Sequence, residues 1–145
     1  MKVVVDTNIV FSAILNSTSD IGKILINSGT KVKFYSCNFL HEDLLLNRSK
    51  LIRLIKLDEK SLEELIAITT RNIQFINEIL LPSEAWKEAI RLTEDIDLKD
   101  APFIALSCHL KATLWSGDKK LRGGVLKKGY TNIIDAKSLM KKLSQ

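Results

Sequence analysis

The chain has 145 residues, 46% of them hydrophobic, and 22 Lys and Arg against 17 Asp and Glu give a net charge of +5. That length and apolar fraction fit one domain around one core, and the absence of repeats or low-complexity runs excludes a fibrous or disordered chain. Two distant cysteines, Cys37 and Cys108, exclude a disulfide framework, while early charges and short apolar runs exclude a signal peptide and a membrane partner, so a cytoplasmic location is expected.

The opening stretch, Lys2 to Asn8, reads as a strand running into a turn. Val3, Val4 and Val5 are β-branched and wholly apolar, the pattern of a strand buried on both faces of a parallel sheet. Asp6 closes that run at the carboxyl end, where open α/β sheets place their ligands. It is also a natural N-cap for the helix expected from Ile9 to Leu15, and both readings stand. Thr7 and Asn8 fit a role in capping that helix and holding Asp6 in one rotamer.

A polar break from Asn16 to Asp20 precedes a helix from Ile21 to Asn27, with Ile21, Ile24 and Leu25 on one face and a stop at Ser28-Gly29. Lys31 to Ser36 supplies a second strand. A long helix is expected from Phe39 to about Ile55, with Phe39, Leu40, Leu44, Leu51, Ile52 and Ile55 inward. Glu42 falls early in it and faces the crevice if the first strand-to-helix geometry repeats; Asp43 is the rival, and either acid complements the positive helix end. Asn47, Arg48, Lys50, Arg53 and Lys56 form a polar side, a solvated face or a strip for a phosphate backbone.

Further helices are expected from Ser61 to Thr70 and from Pro82 to Glu94, the latter with Ala85, Trp86, Ala89, Ile90 and Leu92 inward, and a strand from Ile73 to Ile76 lies between them. Asp95, Asp97 and Asp100 then crowd the mouth of a helix opened by Ala101-Pro102 and apolar nearly all round. Such a cluster exceeds what capping requires and is unfavourable unless exposed or neutralised by a cation. Ala112 to Trp115 is another short strand, and Ser116-Gly117-Asp118 after it repeats the arrangement at Asp6. Lys119 to Gly124 reads as a basic, flexible rim. Thr131 to Ile134 is the last strand, and Asp135 caps a helix from Ala136 to Leu143.

Strands alternating with helices predict a doubly wound α/β fold. Its topology brings Asp6, Glu42, Asp100 and Asp118 to one crevice. Oxygen ligands with no His or Cys cluster suit Mg²⁺ or Mn²⁺ rather than zinc. His41 and His109 have no ligand spacing. Clustered carboxylates on hard cations are the layout for metal-assisted phosphodiester hydrolysis, and a basic rim around them fits a phosphate backbone.

Val5-Asp6-Thr7-Asn8, Phe39-Leu40-His41-Glu42-Asp43-Leu44, the run from Asp97 to Leu106 and Leu114 to Lys119, in that order, resemble the PIN-domain ribonucleases, which include the VapC-type toxins. The resemblance spans nearly the whole chain. It implies an α/β/α sandwich with a central parallel sheet, single-stranded RNA as substrate, and a divalent ion on Asp6, Glu42, Asp100 and Asp118. It further implies Asp97 as an additional acid and Asn8 and Ser116 as groups that orient the ligands. Arg48, Lys119, Lys120 and Arg122 are the expected grips on flanking phosphates. Partners implied are RNA, a second copy of the chain joining two basic rims into one groove, and a cognate antitoxin protein. A non-catalytic RNA-binding module of the same fold is the alternative from another class. A haloacid-dehalogenase-type phosphatase needs a second Asp two residues after the first, where this chain has Asn8.

Overall fold

In the computed structural model, which describes residues 1–145, the sheet is built outward from the all-valine strand. β1 (Lys2–Val5) holds Val3, Val4 and Val5 at 0% exposure. It is flanked by β2 (Lys33–Cys37) on one side and β4 (Thr113–Trp115) on the other, with β3 (Ile73–Ile76) and β5 (Ile133–Ile134) at the edges. The strand order is β3-β2-β1-β4-β5 and every pairing is parallel. Val3 pairs with Phe34 and Thr113, and Val5 with Trp115, so β1 is hydrogen-bonded on both edges as well as buried on both faces.

Chain direction explains the layers. From β1 to β3 the chain steps one way across the sheet; β4 then lies on the other side of β1. Right-handed crossovers put helices on one face for the first direction and on the opposite face for the second. Helices α1 (Thr7–Leu15), α2 (Asp20–Asn27) and α5 (Glu59–Thr70) accordingly pack together, with α3 (Phe39–Leu46) and α4 (Arg48–Ile55) against α1. Opposite them, α6 (Ser83–Thr93) packs on α7 (Ala101–Leu110) and α8 (Lys119–Lys127), and α7 lies on β1, β2 and β4. The last helix, α9 (Ala136–Leu143), returns to α2. The fold is the expected three-layer α/β/α sandwich of a single domain. Phe34 and Trp115 meet across β1 with ring centroids 6.1 Å apart. No single helix is long and apolar enough to cross a membrane.

Three sequence expectations change. The long helix is divided into α3 and α4 at Asn47, whose backbone (φ −102°, ψ 10°) leaves the helical region. Its side-chain amide donates to the Asp43 carbonyl at 2.8 Å, offering that carbonyl an alternative to continued helix. Lys119 to Gly124 is helical rather than a flexible rim, because Leu121 and Val125, four apart, both bury into the core. In α6, Ala85, Ala89 and Leu92 face inward while Ile90 is 44% exposed.

Candidate functional site

The strand order changes direction at β1, and the crevice between the carboxyl ends of β1 and β4 is the switch point at which such sheets bind ligands. A cleft of about 190 Å³ opens there. It is lined by Asp6, Thr7, Asn8, Asp43, Asn47, Asp97, Lys99, Asp100, Phe103 and Asp118. Each acid is placed by an element end. Asp6 follows β1 and caps α1, accepting from the Ile9 N–H at 3.0 Å. The Ser36 hydroxyl donates to the Val5 carbonyl at 2.7 Å, tying the end of β1 to β2 just before Asp6. Asp97 caps a turn of 3₁₀ helix (Leu98–Asp100), accepting from the Lys99 N–H at 3.0 Å, and Asp100 stands at the N-terminus of α7.

The Ser116-Gly117-Asp118 turn is braced from three sides. Asp118 caps α8 by accepting from the Leu121 N–H at 3.1 Å, and its own N–H donates to the Ser116 hydroxyl at 3.2 Å. The Arg122 guanidinium donates to the Ser116 carbonyl at 2.7 Å. Asp6 and Asp118 thus each hold a helix N–H with one oxygen while lining the cleft.

The electrostatics are those of crowded carboxylates. Burial, and secondarily the charge of Asp118, raises the Asp6 pKa to about 6, against the opposing pull of Ser116 and the Ile9 amide. Asp100 is raised further, to about 7, by burial first and then by Asp6, Asp97, Asp118 and Asp43. The Thr7 hydroxyl and Asp100 Oδ2 are buried with no hydrogen-bond partner. No three carboxylates close into a ready-made coordination shell. Mg²⁺ keeps several of its waters and takes only one or two carboxylates directly. An all-oxygen donor set with an unpartnered buried carboxylate oxygen therefore fits a hard divalent ion, and relief of like-charge repulsion favours its binding.

Of the residues expected from sequence, Asp6, Asn8, Asp97, Asp100 and Asp118 meet in this cleft, and Ser116 is buried behind it. Glu42 does not join them; Asp43 stands there in its place. Asp43 and Asn47 are four residues apart and share one helix face, whereas Glu42 is rotated by about 100° and points to solvent. Arg48 lies outside the cleft with its guanidinium paired to Glu63 at 2.9 Å. Arg122 braces the Asp118 turn instead of standing free on the rim, while Lys119 and Lys120 remain exposed at the start of α8. Lys99 is a cleft residue that sequence reasoning did not single out, and Asn47, read from sequence only as part of a polar helix side, lines the cleft as well. The four-residue spacing to Asp43 was the legible sign for Asn47, and the flanking Asp97 and Asp100 were the sign for Lys99.

The family model of the PIN domain matches residues 4–138 of the chain. No curated protein matches the sequence. Among solved structures, a chain in the crystal structure of VapBC2 from Rickettsia felis bound to a DNA fragment from their promoter superposes with a TM-score of 0.67 at 17% identity, covering 93% of this chain and 97% of that chain. At that identity the likeness is one of fold. With the family match running from the first strand to the last helix, through every acid of the cleft, the chain belongs to the PIN-domain family, whose members are generally nucleases.

Proposed function

We propose that this chain is a divalent-metal-dependent endoribonuclease acting on single-stranded RNA, with Mg²⁺ or Mn²⁺ as cofactor. The observation that carries the reading is the convergence of Asp6, Asp43, Asp97, Asp100 and Asp118 on one small cleft at the switch point of a PIN-family sheet. Asp6 and Asp118, fixed as helix caps, would hold the ion, and Asp43, Asp97 and Asp100 would complete the oxygen set around it. When bound, the ion lowers the pKa of water and offsets charge developing on the phosphate. The chain's own residues hold those carboxylates in place: Ser116 and the Ile9 amide keep Asp6 oriented and favour its ionised form, and Arg122 fixes the turn that carries Asp118. Lys119 and Lys120, exposed beside the cleft, receive flanking phosphates. Hydrolysis in line at phosphorus leaves a 5′-phosphate and a 3′-hydroxyl.

The fold likeness to a chain of the VapBC2 assembly supports a cognate antitoxin protein as partner, and pairing of two copies would join their basic rims along one RNA. A cytoplasmic setting is consistent with two unpaired cysteines. The test is cleavage of an end-labelled single-stranded RNA with Mn²⁺ or Mg²⁺ by wild type, Asp6→Asn and Asp118→Asn, with EDTA as control. Cleavage by wild type alone, abolished by EDTA, is expected. RNA binding without cleavage under every metal condition would instead identify a non-catalytic binding module.

A further inference from the structure

Lys99 is the one cation lining a cleft that also holds Asp6, Asp43, Asp97, Asp100 and Asp118. An ammonium among so many carboxylates is expected to be clasped by one of them, yet this one is not. The ion pairs of the molecule join Arg48 to Glu59 and Glu63, Arg91 to Glu88, and Lys128 to Asp95; none involves Lys99 or a cleft acid. The backbone beneath it is fixed, because the Lys99 N–H is held by the Asp97 carboxylate in the short turn that leads into α7. Its side chain is exposed. The cleft thus presents an anchored stem with a free point charge at its mouth.

That charge answers a difficulty in the function proposed above. A phosphodiester must enter a lining that is strongly negative. With the five carboxylates ionised, one divalent ion beside Lys99 still leaves the lining net negative. Lys119 and Lys120 are on the rim rather than in the lining, so they suit neighbouring phosphates and not the one being cut. An ammonium on a four-carbon stem makes a movable point contact to a phosphate oxygen, which an Arg fork can replace in charge though not in shape.

Resting on the nuclease reading, we propose that Lys99 contacts a non-bridging oxygen of the scissile phosphate and admits it to the acidic cleft. The experiment compares wild type with Lys99→Met and Lys99→Arg in the full chain, with three readouts. The first is kcat/KM on a 5′-fluorescein single-stranded RNA with Mn²⁺. The second is RNA anisotropy against salt in an Asp6→Asn background. The third is Mn²⁺ affinity by calorimetry. Lys99→Met is expected to lower kcat/KM at least tenfold and to reduce the salt slope by about 1, as for loss of one phosphate contact. It should bind Mn²⁺ at least as tightly as wild type, since a competing positive charge has gone. Lys99→Arg should recover most of the activity, and Lys141→Ala, in the last turn of α9, should leave the slope unchanged. Tighter Mn²⁺ binding with cleavage and slope unchanged would overturn the proposal and make Lys99 merely a neutraliser of the acids. Weaker Mn²⁺ binding by Lys99→Met would also overturn it, by showing a role in shaping the metal site. If wild type itself fails to cleave, the nuclease reading is at fault, and the salt slope alone then decides whether Lys99 touches phosphate.

Discussion

The acid cleft should make the metal-free protein less stable at neutral pH than in mild acid, and Asp100→Asn should remove much of that penalty. Burial and the charges of Asp6, Asp97, Asp118 and Asp43 raise the folded Asp100 pKa to about 7, against an ordinary 3.8. The native state therefore keeps a proton that the unfolded chain releases. Stability conferred by that proton is fully present below pH 4 and is lost as pH rises through 7. A shift of about three units corresponds to a ceiling of about 4 kcal/mol; partial exposure and screening by water bring the expectation nearer 2 kcal/mol. Asp100→Asn keeps the shape, and its amide can donate to the carboxylates around it. In EDTA at pH 8 the variant should gain about 2 kcal/mol over wild type, or about 4–8 °C in Tm for a chain of this size, with little difference at pH 4. Saturating Mg²⁺ should raise the Tm of wild type more than that of the variant. Urea titrations at the two pH values measure the gap. A variant less stable than wild type at pH 8, or a difference independent of pH, would refute the like-charge account of the cleft.

Other consequences can be checked alongside. Asp43→Asn should lower kcat/KM on single-stranded RNA at least a hundredfold while Glu42→Gln stays within about twofold, because only Asp43 lines the cleft; equal losses would put both acids to use. Arg122→Met frees the Ser116 carbonyl, so Mn²⁺ affinity and kcat should fall with the RNA KM unchanged, whereas a raised KM alone would return Arg122 to the phosphate-contact role read from sequence. Gly22→Ala should cost about 2 kcal/mol or more in urea unfolding, since an added Cβ would clash with the Ser17 carbonyl, backbone that cannot step aside.

Much of this was legible in the residues because local and global signals agree. Three consecutive valines can satisfy a strand only if both faces are covered, and that places β1 at the centre before any pairing is known. Asp6 and Asp118 could be placed at one crevice because acids at strand ends have one geometry in this topology. What failed depended on rotation about helix axes. Glu42 and Asp43 are neighbours in sequence, and only the packing of α3 through Leu40 and Leu44 decides which of them meets β1's end. The division at Asn47 was hidden because its neighbours continue a helical apolar stripe through Leu51. Arg48 and Arg122 read as free cations, for nothing in a linear sequence shows that Glu63 or the Ser116 carbonyl stands opposite.

The distribution of charge, more than its total, then connects fold to function. Five of the 17 acids line one cleft, so the rest of the surface is more basic than a net +5 conveys. On the proposed nuclease reading, a polyanion approaching to within about a Debye length, about 8 Å at physiological salt, would be drawn in by that positive surface. At the cleft itself it would meet five carboxylates, which repel a phosphate unless a cation stands between. On that reading, capture and entry to the cleft are thereby separated: the rim would set how strongly the chain binds a phosphate backbone, and a divalent ion in the cleft would set whether a phosphate can reach its centre. The arrangement requires the carboxylates to stay crowded when no ion is bound. The sandwich enforces this by setting Asp6 and Asp118 as helix caps on two adjacent buried strands, where neither can withdraw without losing an N–H bond that starts a helix.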